Sequence, residues 1–211
     1  MKRTIDETLQ KFGRLDVLVN NAGGSATTVL EGSELDGDLS GYDYAMDLNT
    51  KSVLRLCQLA LPHLIQTKGE IVNVGSIAGG KNGTTLGFPF YSIAKAAQDQ
   101  LTRNLAIHYI SEVKLFSPGA ISTNIMQKHG FTDEMVKKCE QEMIAGNSRI
   151  PYQCMGKPED VAEAILFLAD RKRSNYIVGH QLVIDGGASL QMPLITDSLK
   201  IFGTVLAETM Q

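Results

Sequence analysis

The chain has 211 residues, 43% hydrophobic and 20% charged, with a net charge of −3. That composition suits one globular domain with a sizeable core and excludes disorder, collagen and coiled coil. Twenty basic against 23 acidic residues, 6% aromatics and no Trp speak against nucleic acid or an anionic membrane as the main partner.

Ile5, Leu9 and Phe12 form a short helical stripe, and Leu15 to Asn20 is a strand broken by Asn-Ala-Gly-Gly. A helical pattern runs from about Tyr44 to Thr67, and Glu70 to Val74 is a strand. Residues 79–90 form a Gly-rich loop, and Ser92 to Ile110 is a long amphipathic helix. A short strand, Val113 to Phe116, precedes Ser-Pro-Gly. Thr132 to Ala145 is a charged amphipathic helix, and Pro158 to Asp170 is a helix opened by Pro-Glu-Asp, acidic residues suited to a positive N-terminus. His180 to Ile184 is a strand closed by Asp-Gly-Gly. Strands alternating with helices of this length predict right-handed βαβ units and a mainly parallel sheet, an α/β fold.

No run approaches about 18 apolar residues, so no membrane span is expected. The start, MKRTIDETLQKFG, lacks an apolar h-region and is not a secretory signal. Cys57, Cys139 and Cys154 are odd in number and lack Cys-x-x-Cys spacing. They read as reduced thiols of a cytoplasmic protein, with neither a disulfide frame nor a zinc site. The four histidines are scattered, so no metal is expected.

Ligands of such a sheet bind beyond the carboxyl ends of the strands. All four predicted ends carry Gly: 20–23, 75–76, 117–119 and 185–187. Turn residues at any one strand end are ordinary, but their joint occurrence points to a ligand crevice. There is no G-x-G-x-x-G in the 211 residues. Residues 75–82, GSIAGGKN, miss a P-loop because Asn82 replaces the Ser/Thr that would hold magnesium. Ser76 lies in G-S-x-x-G, which is not a nucleophile elbow.

Tyr91 and Lys95 lie four apart and share one helix face. An adjacent ammonium favours the phenolate, so the pair suits proton transfer in carbonyl reduction or alcohol oxidation. Ser76, at the end of the preceding strand, can orient a substrate oxygen. Asn49, inside the earlier helix, is either a site residue or a solvated position.

The set Asn20-Asn21-Ala22-Gly23, Asn49, Val74-Gly75-Ser76, Tyr91-Ser92-Ile93-Ala94-Lys95, Ser117 to Thr123 and Val183 to Gly187 resembles the short-chain dehydrogenase/reductase family, from about Phe12 to Gly187. The resemblance implies a Rossmann-like doubly wound parallel sheet and an oxidoreductase using NAD or NADP. It would interconvert a small-molecule carbonyl and a secondary alcohol by hydride transfer. It implies Tyr91 as the acid/base, Lys95 lowering its pKa and holding the nicotinamide ribose, Ser76 polarising the substrate oxygen and Asn49 supporting a water of the proton relay. Asn21, Ala22 and Gly23 would line the adenosine side, and Pro118, Gly119, Ile121 and Thr123 the nicotinamide half.

Family members begin with a strand, a Gly-rich turn, a helix and a strand that selects NAD or NADP. Against them the chain is expected to be N-terminally truncated by about 60 residues, keeping strands 4 to 7, so strand 15–20 would be an apolar edge. The stretch 112–116 is shorter than the family's, which clouds the register of Ile121, and the loop from Ser76 to Tyr91 is slightly long. The expectation is therefore a single partial domain over 1–211, with 188–211 a C-terminal extension. It is an enzyme or, alternatively, a shortened non-catalytic relative that binds a partner. Phe88, Phe90, residues 124–150 and the tail 188–211 are expected to rim a pocket for an apolar carbonyl or alcohol. Helices 44–67 and 92–110 are the surfaces that the family uses for homo-oligomers.

Overall fold

A computed structural model describes residues 1–26, 34–83, 85, 89–109, 113–145 and 149–190. Its strands, β1 Val17–Asn20, β2 Glu70–Val74, β3 Val113–Pro118 and β4 Gln181–Ile184, form one parallel sheet in chain order. Helix α1 Lys2–Phe12 precedes β1. Helix α2 Ser40–Met46, a π-helical turn Asp47–Lys51 and α3 Ser52–Thr67 lie between β1 and β2. Helix α4 Pro89–Tyr109 connects β2 to β3. Helices α5 Ile125–Lys128, α6 Asp133–Ile144, α7 Pro158–Ala169 and α8 Arg171–Ser174 lie between β3 and β4.

Both faces of the sheet are covered. On one, Val53, Cys57, Leu61 and Leu64 of α3 and Leu105 and Ala106 of α4 pack with Ile71 of β2. On the other, Ala164 and Leu168 of α7 pack with Val72, Val74 and Phe116. All five residues of β2 are buried, as expected of a strand inside a doubly covered parallel sheet. Polar Asn73 is tolerated there because both ends of its amide are matched. Its Oδ1 accepts Asn20 Nδ2 at 2.7 Å, and its Nδ2 donates to Thr102 Oγ1 at 2.9 Å.

The elements follow the expected order with shifted bounds. The helix expected from Tyr44 starts at Ser40 and is interrupted by the π-helical turn. The helix expected from Ser92 starts at Pro89, where proline suits the first helical position. Its next N–H, on Phe90, is taken by Glu34 Oε2 at 2.8 Å, an acceptor from a distant segment. Phe12, expected on the apolar stripe of α1, is 66% exposed, whereas Ile5 is buried. Strand β1 pairs only with β2 among the described residues, and its Val17 and Val19 are 37% and 39% exposed. It is the apolar edge that the sequence suggests. Beyond β4, Ala188–Leu190 form a 3-10 turn, and the rest of the tail lies outside the described residues. Among the described residues no helix is long and apolar enough to cross a membrane.

Candidate active site

The carboxyl ends of β1, β2 and β3 open onto a cavity of about 1550 Å³. Asn21, Gly23, Ser76, Tyr91, Lys95, Pro118, Gly119, Ile121 and Thr123 line it. Asn49 and Ala22 do not. Asn49 is fully buried behind the loop after β1, and Ala22 is exposed outside the wall.

The π-helical turn carries Asn49 under that loop. Its Nδ2 donates to Gly24 O and Ala45 O, both at 2.8 Å, and its Oδ1 accepts Gly24 N–H at 3.0 Å. Asn49 is therefore not a solvated helix position. π-Turns recur at functional sites because they re-aim a side chain without ending the helix. A Cβ on Gly23 would come within 2.7 Å of Asn49 Oδ1 and 3.1 Å of Lys95 Nζ, so only glycine fits the chain this close.

Ser76, two residues past the end of β2, caps the turn Ile77–Gly79, its Oγ accepting Ala78 N–H at 3.1 Å. Its hydroxyl and that of Tyr91 line the same cavity wall, and Ser76 acts to lower the Tyr91 pKa. Lys95, one turn after Tyr91 on α4, is 3% exposed. Its Nζ donates to Val74 O at 2.9 Å and Gln98 Oε1 at 3.0 Å and lies 5.7 Å from the Tyr91 ring centroid. Ile121 is pinned by a parallel bridge to Gly156, with Ser122 N–H donating to Gly156 O at 2.8 Å.

The electrostatics depart from the sequence expectation. Burial pushes the Tyr91 hydroxyl above its usual range; the Ser76 hydroxyl opposes this, and Asp99 adds to it. The ammonium was expected to favour the phenolate. In the fold its hydrogen bonds go to Val74 and Gln98, and desolvation of the phenol wins. Burial also lowers Lys95 to about 8, against an upward pull from Asp99. A lysine depressed in the native state is deprotonated there while still protonated in the unfolded chain. The unfolded chain then binds more protons, so stability rises with pH through that window. Between about pH 8 and 10.5 the wild type should therefore gain stability relative to Lys95→Met, by at most about 1.4 kcal/mol per pH unit. Chemical denaturation across pH checks this, and parallel curves for the two proteins would refute it.

Phe90 corrects another expectation. It is buried edge-to-face against Tyr42, with ring centroids 5.6 Å apart, and belongs to the core instead of the rim. Phe88 and residues 191–211 lie outside the described residues. Residues 124–150 do supply the apolar wall, through Ile125, Met126, Phe131 and Met143. Gly24, Gln98, Asp99 and Gln181 were not anticipated. A signal for two of them was present: Gln98 and Asp99 continue the Tyr91–Lys95 face of the helix at i+7 and i+8.

A family profile described as enoyl-(acyl carrier protein) reductase, adh_short_C2, matches residues 1–189. The 3-oxoacyl-[acyl-carrier-protein] reductase FabG of Thermotoga maritima is 34% identical over 193 residues, covering 89% of this chain and 71% of that protein. Among solved structures, a short-chain dehydrogenase/reductase of unknown function from Caenorhabditis elegans, with cofactor, is similar at 40% identity and a TM-score of 0.86. That similarity covers 90% of this chain and 71% of the other. The apo glucose dehydrogenase of Caenorhabditis elegans is 46% identical, with a TM-score of 0.69, covering 90% of this chain and 69% of its own.

Proposed function

The chain belongs to the short-chain dehydrogenase/reductase family, and on that premise we propose that it interconverts a carbonyl compound and a secondary alcohol with NAD or NADP, Tyr91 serving as acid/base. The observation that carries this is the convergence of Ser76, Tyr91 and Lys95 on one cavity wall, with buried Lys95 one turn after Tyr91 and its Nζ 5.7 Å from the Tyr91 ring centroid.

The residues fit the nicotinamide–ribose half of such a cofactor. Gly23 leaves open the space beside Lys95, and Lys95 has a third N–H beyond those given to Val74 and Gln98. Pro118, Gly119, Ile121 and Thr123 would flank the nicotinamide, and Asn21 and Gly23 the adenosine side, with Ala22 outside the wall. When bound, the nicotinamide supplies the hydride. Ser76 and Tyr91 orient the carbonyl oxygen. Tyr91 Oη gives its proton to that oxygen as the carbonyl carbon becomes a secondary alcohol carbon. The raised pKa suits this direction, because the phenol is protonated at neutral pH. Lys95 stabilises the phenolate left behind, and Asn49 holds the loop at Gly24 over the site. The reverse sequence oxidises an alcohol.

Met126, Phe131 and Met143 on the wall support an apolar substrate. Helices α3 and α4 would form the homo-oligomer contact that the family resemblance implies, and the free cysteines support a cytoplasmic protein.

Residues 1–211 contain no Gly-rich pyrophosphate turn, so by themselves they should bind NAD(H) or NADP(H) weakly or undetectably. Calorimetry giving micromolar affinity would contradict this. Activity is therefore assayed on the complete reading frame carrying these residues, with both cofactors and a panel of apolar ketones and sugars. Loss of reduced nicotinamide matched by alcohol formation is expected. Absence of turnover with every pair would refute the proposal and favour a partner-binding role.

A further inference from the structure

The buried face of α4 continues past the Tyr91–Lys95 pair. Asp99 lies one turn after Lys95 and is 2% exposed. Its Oδ2 accepts Gln181 Nε2 at 2.9 Å, and the same nitrogen donates to Ser117 Oγ at 2.8 Å. Its Oδ1 is buried without a hydrogen-bond partner. A carboxylate held by one neutral hydrogen bond is costly to bury unless a charge compensates it. Two cations compensate it, Arg103 more than Lys95, and Lys95 is a buried ammonium whose hydrogen bonds go to neutral acceptors, Val74 O and Gln98 Oε1. Asp99 and Lys95 sit on one helix face in a poorly solvated interior, where charges act on each other without contact.

We propose that Asp99 is a positioning residue whose charge keeps Lys95 in its ammonium form at neutral pH. The inference rests on the roles proposed for Tyr91 and Lys95, since a neutral amine could not stabilise a phenolate. Among the described residues, the groups facing Lys95 from the other elements do not titrate. They are the Gly23 backbone and Asn49 on the β1 side and the Val74 carbonyl of β2. Tyr91 and Asp99, on α4 itself, do titrate, and Arg103 bears on Asp99 from the next turn. The direction agrees, because Asp99 opposes the downward effect of burial on Lys95. Burial raises Asp99 itself to about 6, partly offset by Arg103 and Lys95, so it is ionised at pH 7.

A purely structural Asp99 would only accept the Gln181 hydrogen bond, and Asp99→Asn keeps an oxygen for that. The two roles separate in a titration of Lys95 followed by side-chain NMR of lysine-labelled protein without cofactor, the resonance being assigned with Lys95→Arg. Asp99→Asn should lower the Lys95 midpoint by about one pH unit or more, and Asp99→Glu should restore most of it. An unchanged midpoint in a folded Asp99→Asn protein would overturn the proposal. If that variant does not fold, the wild type decides: the Lys95 resonance should show a second, smaller inflection where Asp99 titrates, and a single inflection overturns the proposal. Because no cofactor or substrate is present, this outcome is independent of whether Tyr91 catalyses carbonyl reduction.

Discussion

Replacing Tyr91 with Phe should lower the turnover of carbonyl reduction by roughly 10²–10⁴, the usual worth of a positioned general acid. The substitution keeps the ring beside Lys95 Nζ and removes only the hydroxyl on the cavity wall that Ser76 also lines. Cofactor affinity should therefore stay nearly unchanged while the chemical step slows. Steady-state kinetics on the complete reading frame, with cofactor titration by fluorescence, separates the two. Turnover within about threefold of wild type would remove Tyr91 from the acid/base role. A parallel loss of cofactor affinity would mean that the hydroxyl acts in binding instead.

Phe116→Ala should cost about 3–5 kcal/mol of stability, the range for truncating a buried aromatic. Phe116 is fully buried and packs with Val72 and Val74 of β2 and Ala164 and Leu168 of α7. Its carbonyl accepts Gly75 N–H at 2.6 Å, a backbone bond that the substitution leaves in place. The loss is therefore lost packing and a cavity between sheet and helix. Because Gly75 adjoins Ser76 and Phe116 precedes the 117–119 turn, the same cavity would loosen two walls of the site. Urea unfolding checks the number. A loss below about 1 kcal/mol would mean that α7 collapses onto the sheet and refills the space. Against a total stability of roughly 5–15 kcal/mol, the expected loss is a large fraction.

The order of strands and helices, and the clustering of Asn21, Gly23, Ser76, Tyr91, Lys95 and Gly119 at the strand ends, were legible in the chain. Strand and helix periodicities mark the elements, and a parallel α/β sheet puts all its carboxyl ends on one side. The register of Ile121 was not legible, because it depends on a bridge to Gly156, 35 residues away. Nor was the start of α4, whose first turn is held by Glu34 from before α2.

Periodicity assigns a residue to a face and leaves open what covers that face. Asn49 was open between site and solvent until the loop at Gly24 closed over it. Phe90 was given to the rim and went to the core because Tyr42 packs on it. Tyr91 and Lys95 were legible as a pair, but the sign of the Tyr91 shift was not. An ammonium one turn away predicts a lower pKa, and only the packed structure determines how much water the phenol loses. Asp99 is the same case: its place on the helix face is written in the spacing, while its burial against Gln181 and Ser117 is decided by β3 and β4 meeting α4.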